Sequence, residues 1–191
     1  MGGDAAFGQK AGRVRTGRAL CSVVWAAAVA GIVFVLVPVA GHTASSSRSD
    51  MPGGWRFVST HNPSGGPDAV SIMHTADTSR SDADFAGIMI RCREGHAQLV
   101  IISINPFPLT AHPKVIFGAP GREIRFDASV TVPGTAILVA ADAATLVGGP
   151  WQLLETLEAR VEDGASILRG TVDLSGLPSA FKILMANCPL S

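Results

Sequence analysis

The feature that most constrains this chain is Leu20–Ala40, 21 residues without a charge and with Ser22 as the one polar side chain apart from the indole of Trp25. At about 1.5 Å per residue, a helix of that length spans roughly 30 Å, the hydrocarbon thickness of a bilayer. A helix packed on a soluble core keeps a polar face at helical period, and this stretch has none. Lys10, Arg13, Arg15 and Arg18 precede it against a lone Asp4, and basic residues beside an apolar span stay cytoplasmic. Residues 1–19 are therefore expected to form a basic cytoplasmic leader and residues 20–40 a transmembrane anchor or signal sequence, with everything from His42 onward exported. The run exceeds the roughly 7–15 apolar residues of a secretory signal, which favours a retained anchor. That gives a single-pass inner-membrane protein with a periplasmic C-terminal domain. Cleavage after Gly41 or Ala44, releasing the domain to the periplasm, is the alternative. Cys21 opens the apolar run instead of following it, which excludes a lipoprotein.

A formal charge of zero hides an asymmetry. Beyond residue 41 the chain holds 11 basic and 14 acidic residues, a formal −3. A mildly acidic exported domain has no electrostatic reason to bind nucleic acid. Residues 41–54 are rich in Ser and Gly and read as a flexible linker. Residues 55–191 are long enough for one domain with its own core.

Apolar periodicity sets the class. From Ile124 to Val132 the chain alternates without error: Ile124, Phe126, Ala128, Val130 and Val132 point one way, Glu123, Arg125, Asp127, Ser129 and Thr131 the other. That is the pattern of a half-buried strand. Shorter alternations at 56–61, 70–75 and 88–93 predict further strands, and the continuous apolar run within 98–104 predicts one covered on both faces. Segments 135–141 and 167–174 complete the set. Two stretches change period. Leu153, Leu154 and Leu157 predict a short helix over about 150–159, with Pro150 at its first position. Leu177, Phe181, Leu184 and Cys188 predict a second over about 177–188, with Ser175 as its N-cap. The expected class is α+β: a β-rich antiparallel sheet or sandwich domain with these two helices, preceded by the N-terminal membrane helix.

Two cysteines fall in the exported part. Cys92 shares a strand face with Ile88 and Ile90, and Cys188 sits on the apolar stripe of the last helix. Both point into one core, and an even count in an oxidising compartment predicts a disulfide. Two separate buried thiols are the alternative.

Motifs for catalysis are scarce. There is no G-x-S-x-G, and His61, His74, His96 and His112 lie in or beside different strands with no pairing at metal-ligand spacing. Gly53-Gly54, Gly65-Gly66 and Gly148-Gly149 lack the context of a phosphate loop and read as turns. No catalytic residue, metal or cofactor is expected. Glu123, Arg125 and Asp127 form an alternating-sign row on the polar side of their strand. Such a row is either a solvated sheet face or a partner-binding face.

Three groups of residues carry a family resemblance. They are Trp55-Arg56-Phe57, followed by Ser64 and Asp68; Ile88-Met89-Ile90-Arg91-Cys92, leading into the strand at 98–104; and Val172-Asp173-Leu174-Ser175-Gly176-Leu177, ahead of the helix that ends on Cys188. Together they resemble the exported VasI-type proteins associated with type VI secretion and, more loosely, the invasion-associated locus B proteins. The resemblance implies an envelope accessory or interaction protein, possessing no transferable active site, with a secretion-system or envelope protein as partner. The competing expectation is a periplasmic hydrolase whose residues converge only in the fold.

The anchor reading has a direct test. A reporter fused after Ser191 is expected to be active on the exported side, and the protein to resist carbonate extraction from membranes. A soluble species starting near His42 or Ser45 would establish cleavage instead.

Overall fold

The computed structural model describes residues 45–119 and 121–188. The leader, the membrane segment and residues 41–44 lie outside the described residues, among which no helix is long and apolar enough to cross a membrane.

The described residues form ten strands: β1 (Ser46–Asp50), β2 (Arg56–Thr60), β3 (Ala69–Thr75), β4 (Phe85–Arg93), β5 (His96–Ser103), β6 (Lys114–Phe117), β7 (Ile124–Thr131), β8 (Ala136–Val139), β9 (Thr156–Asp163) and β10 (Ser166–Asp173). Two short helices, α1 (Ala144–Gly148) and α2 (Leu177–Ala186), complete the domain. All neighbouring strands are antiparallel, in the order β1-β2-β3-β4-β5-β8-β7-β6-β9-β10. β7 is the hinge of this arrangement, since residues 124–127 pair with β6 and residues 128–131 with β8. The sheet curls far enough that β10 returns beside β4. There Phe85 lies against Gly170, where a Cβ would meet the Phe85 ring at 2.1 Å.

The inward rows of both halves make one core. β5 is buried on both faces, with Leu99, Val100 and Ile101 all nearly inaccessible, as its unbroken apolar run requires. Trp151 stands edge-on to Phe117 at 4.8 Å between ring centroids, and Phe117 is tilted on Phe126 at 5.9 Å. Aromatic pairs at such spacings add roughly 0.5–1.5 kcal/mol beyond burial. α2 buries Leu177, Ala180 and Leu184 against β2, β3 and β4, following the i, i+3, i+7 period of its apolar stripe. Cys188, just past its end, is disulfide-bonded to Cys92 on β4, with 5.5 Å between the Cα atoms. A bridge of this kind suits an oxidising compartment.

Three expectations need correction. The helix over 150–159 does not form: Pro150–Leu153 is a single 3₁₀ turn and β9 starts at Thr156. Leu153 is 88 % exposed, so the apparent helical triad is no stripe. Leu157, Ala159 and Val161 point inward at period two, and pairing with β10 outweighs the local leucine spacing. Second, the segment read as a linker is built into the domain from Ser46 on. β1 pairs along the whole of β2, and Pro52–Gly54 forms a 3₁₀ turn. Third, Gly176, at φ +78°, caps α2 in place of Ser175. Ser175 is engaged elsewhere, its N–H donating to Asp173 Oδ1 at 2.7 Å and its carbonyl accepting the Trp55 indole N–H at 3.0 Å.

The bridge closes a separation of 96 residues, and long loops gain most from closure, up to about 4.7 kcal/mol and typically 2–4 kcal/mol. Cys92→Ala is therefore expected to lower stability by about 2–4 kcal/mol in urea unfolding and to make α2 the first site of limited proteolysis. Alkylation of both Cys92 and Cys188 in unreduced, denatured protein would overturn the pairing.

Candidate functional site

The outward side chains of β6, β7, β9 and β10 form one polar face. Register fixes its pattern. Lys114 lies between Asp127 and Glu162, Ile116 between Arg125 and Arg160, Arg160 opposite Arg169, and Glu158 opposite Thr171. Ile116 points outward between Arg125 and Arg160 yet is only 2 % exposed. The charges above are interlocked. Glu123 accepts from Arg125 Nη2 at 3.3 Å and pairs with Arg160 Nη2 at 3.0 Å. Arg160 Nε lies 2.8 Å from Glu162 Oε1, at an angle that makes no hydrogen bond. Lys114 pairs with Asp127.

The three residues singled out from sequence thus share this face and play different parts. Glu123 is the keystone, its side chain 20 % exposed between two arginines. Arg125, 63 % exposed, pairs with Glu123 at the solvent-facing side of the row. Asp127, 79 % exposed, turns to Lys114 on the neighbouring strand. An exposed pair such as Lys114–Asp127 contributes about 0–1 kcal/mol. Complementary charge patterns give specificity and association rate.

Beside the lattice is a recess of about 370 Å³, lined by Arg80, Arg160, Arg169, Glu123, Glu158 and Thr171 among others. Arg160 and Arg169 face each other directly across β9 and β10, a like-charge opposition that costs stability unless counter-charges intervene. Glu123 and Glu162 serve Arg160; among the described residues Arg169 has no carboxylate in ion-pair range.

Arg80 is brought there by a strap, residues 77–82, that runs along the outer edge of β10. Asp77 N–H donates to Thr171 O at 2.8 Å, Asp82 N–H to Arg169 O at 2.9 Å, and Thr171 N–H to Ser81 Oγ at 2.9 Å. Arg169 N–H returns a bond to Asp82 Oδ2 at 2.7 Å. The strap satisfies an edge that would otherwise invite foreign strands. Its own shape is set by Asp77, whose carboxylate accepts from Ser79 Oγ at 2.6 Å, Ser79 N at 2.9 Å and Arg80 Nε at 2.7 Å.

Of the remaining candidates for chemistry, His96 and His112 are exposed, and His61 and His74 are committed elsewhere. His61 Nδ1 is 3.0 Å from Asp68 Oδ1, and Ser59 Oγ donates to Asp68 Oδ2 at 3.5 Å. The hydroxyl therefore meets the carboxylate and not the imidazole, on an exposed turn. His74 has Nδ1 2.8 Å from Thr75 O and Nε2 2.7 Å from Gly53 O. Among the described residues no serine hydroxyl is bonded to a histidine ring, and no group of three or more His, Cys, Asp or Glu gathers as a metal site. The leucine spacing over 150–159 masks the start of β9, and with it the outward row of Arg160 and Glu162; the alternation Leu157, Ala159, Val161 is the signal that reveals them. Nothing local announces Arg80, which reaches the face only through the strap.

Comparison with known proteins adds no relative: no family model, curated protein or solved structure matches the chain.

Hydrogen bonds from the Ser79 hydroxyl, then Arg80 and the Ser79 amide, hold the Asp77 carboxyl at about 2 against an ordinary 3.8. A carboxyl lowered by folding contributes stability above its unfolded value and loses it as pH falls through the folded one. The strap is thus expected to hold from neutral pH down to 3.8 and to loosen between 3.8 and about 2. Carboxyl-carbon NMR should place the Asp77 midpoint at the low end of that window. Asp77→Asn should remove this step and raise amide exchange at residues 77–82. A midpoint near 3.8 would sink the assignment.

Proposed function

We propose that this chain is a membrane-anchored or exported envelope protein that works by binding a protein partner, not by catalysis. The observation that carries the reading is the outward face of β6, β7, β9 and β10, an interlocked charge lattice beside an arginine-lined recess. A sheet face that only needed solubility would be served by scattered charges. This one concentrates alternating signs into a fixed pattern, the form in which electrostatics confers specificity. The disulfide favours the exported side of a membrane, and residues 20–40 would hold the domain there as a single-pass inner-membrane protein, or direct it to the periplasm if cleaved. The resemblance to VasI-type proteins makes a secretion assembly the natural setting. The reading requires no metal, cofactor or nucleic acid.

The test uses the full chain in isolated membranes. Partner capture by Arg125→Glu should fall several-fold relative to the unaltered protein and lose its salt dependence, as exposed interface charges act on association. Its unfolding curve should stay where it was, within the small worth of a surface pair. An unchanged set of captured proteins would return this face to plain solvation, and a hydrolytic activity abolished by replacing a single histidine would overturn the non-enzymatic reading.

A further inference from the structure

Next to the arginine recess, and sharing Gly118 and Glu158 with it, lies a second hollow of about 350 Å³. Its walls are apolar: Phe117, Leu146, Trp151 and Leu157 at the base, Ile124 and Leu154 at the sides. Around it the surface is unusually oily for a charged domain. Ile124 is 46 %, Leu154 45 % and Leu153 88 % exposed. Large apolar side chains clustered at a formed hollow mark interaction sites, whereas singly scattered ones do not. Arg122 also lines this hollow. Among the described residues neither Arg122 nor Arg169 has a carboxylate in ion-pair range, and of the carboxylates lining the two hollows only Glu158 lacks a cation. The uncommitted charge at their boundary is therefore two cations against one anion.

We infer that the paired hollows receive a polypeptide segment of the partner that carries a large apolar side chain beside an acidic one. The apolar group fills the Trp151 hollow, and the carboxylate meets Arg122 at its edge or Arg169 across Gly118. Aromatic walls with adjacent arginines are the composition of interface hot spots, and a guanidinium grips a carboxylate in two-point fashion. A bilayer surface is the poorer fit. Its many anionic headgroups would confront Glu123, Glu158 and Glu162 together, while one acidic side chain can be placed away from them. This inference rests on the partner-binding reading above and names the partner's chemistry.

The experiment is photo-crosslinking in the full chain in its own membranes, with a benzophenone amino acid in place of Leu153 in one version and of Arg125 in another. Crosslinked peptides are sequenced by mass spectrometry. The expected result is a crosslink from position 153 to a foreign polypeptide, at a segment with a large apolar residue adjacent to Asp or Glu. Its yield should fall at least fivefold in Arg122→Glu and be retained in Arg122→Lys, with both variants giving the unaltered protease-resistant domain. Crosslinks from 153 to lipid, to a second copy of this chain, or to a segment without an acid would overturn the inference. Equal yields in Arg122→Glu would do the same. Crosslinks from position 125 alone would sink the inference and leave the partner-binding reading standing; none from either position would remove both.

Discussion

The fold depends on a junction where its first core residue meets its last helix. Trp55 is fully buried, and its indole N–H still finds an acceptor in Ser175 O at 3.0 Å, as a buried donor must. For that bond to form, the turn before Trp55 and the turn before α2 pass almost in backbone contact. A Cβ on Gly53 would lie 1.8 Å from Ser175 O, and one on Gly176 2.4 Å from Pro52 O. Both glycines also have φ near +75°, a region that side chains avoid. His74 locks the arrangement from the third side, its ring on Trp55 at 5.2 Å and its Nε2 on Gly53 O at 2.7 Å. Two stretches about 120 residues apart in sequence are thereby fixed together, and α2 is aimed across β2–β4 at the point where Cys188 can reach Cys92.

Closure of the sheet follows from a similar economy at its other side. β10 has no strand beyond it, so its free edge is met by the strap and its inner side by Phe85 on Gly170. The strap is not regular enough to be a strand, yet it pairs as one, since Asp77, Ser81 and Asp82 supply backbone and side-chain groups in alternation. A consequence is that a loop residue, Arg80, is delivered to the charged face with a fixed geometry. Edge protection and site construction are here the same set of hydrogen bonds.

How much of this can be read from the residues depends on how local each cause is. Strands β2, β3, β4, β7, β8 and β10 announce themselves by apolar patterning within the strand itself, clearest in the period two of β7, and β5 by an unbroken apolar run that matches its burial on both faces. α2 does so by period 3.6, and the Cys92–Cys188 pairing by the two faces on which the cysteines fall. β1 does not, because Ser46–Asp50 is exposed on both sides and has no apolar row to betray it; β2's edge alone organises it. Gly53 looks like linker because its reason for being glycine is Ser175, far along the chain. β9 was hidden by three leucines, two of which face solvent and the third the core. Of the charged face, the row on β7 was legible and the cross-strand partners Arg160 and Glu162 were not, since register is a tertiary fact.

The distribution of polar groups says where this domain can act. Asp77 is occupied by Ser79 and Arg80, Asp173 by Ser175, His74 by two carbonyls, and His61 by Asp68. Even the carboxyl of Asp173 is pulled below its ordinary value chiefly by the hydrogen bond from the Ser175 side chain, a shift that comes from shaping a turn and so does not by itself mark a catalytic centre. Groups so engaged hold turns in place, and diverting Asp77, Asp173 or His74 to a substrate would loosen the junction or the strap. On the charged face, Arg125 keeps an exposed guanidinium; among the described residues Arg122 and Arg169 have no carboxylate in ion-pair range, Arg122 lining the hollow with Ile124 and Leu154 and Arg169 the recess beside it. Guanidinium groups cannot serve as bases at neutral pH, and exposed leucines are chemically inert. What they can do together is desolvate a partner's apolar side chain while pairing its carboxylate. It is on these groups that the proposed recognition of a partner rests.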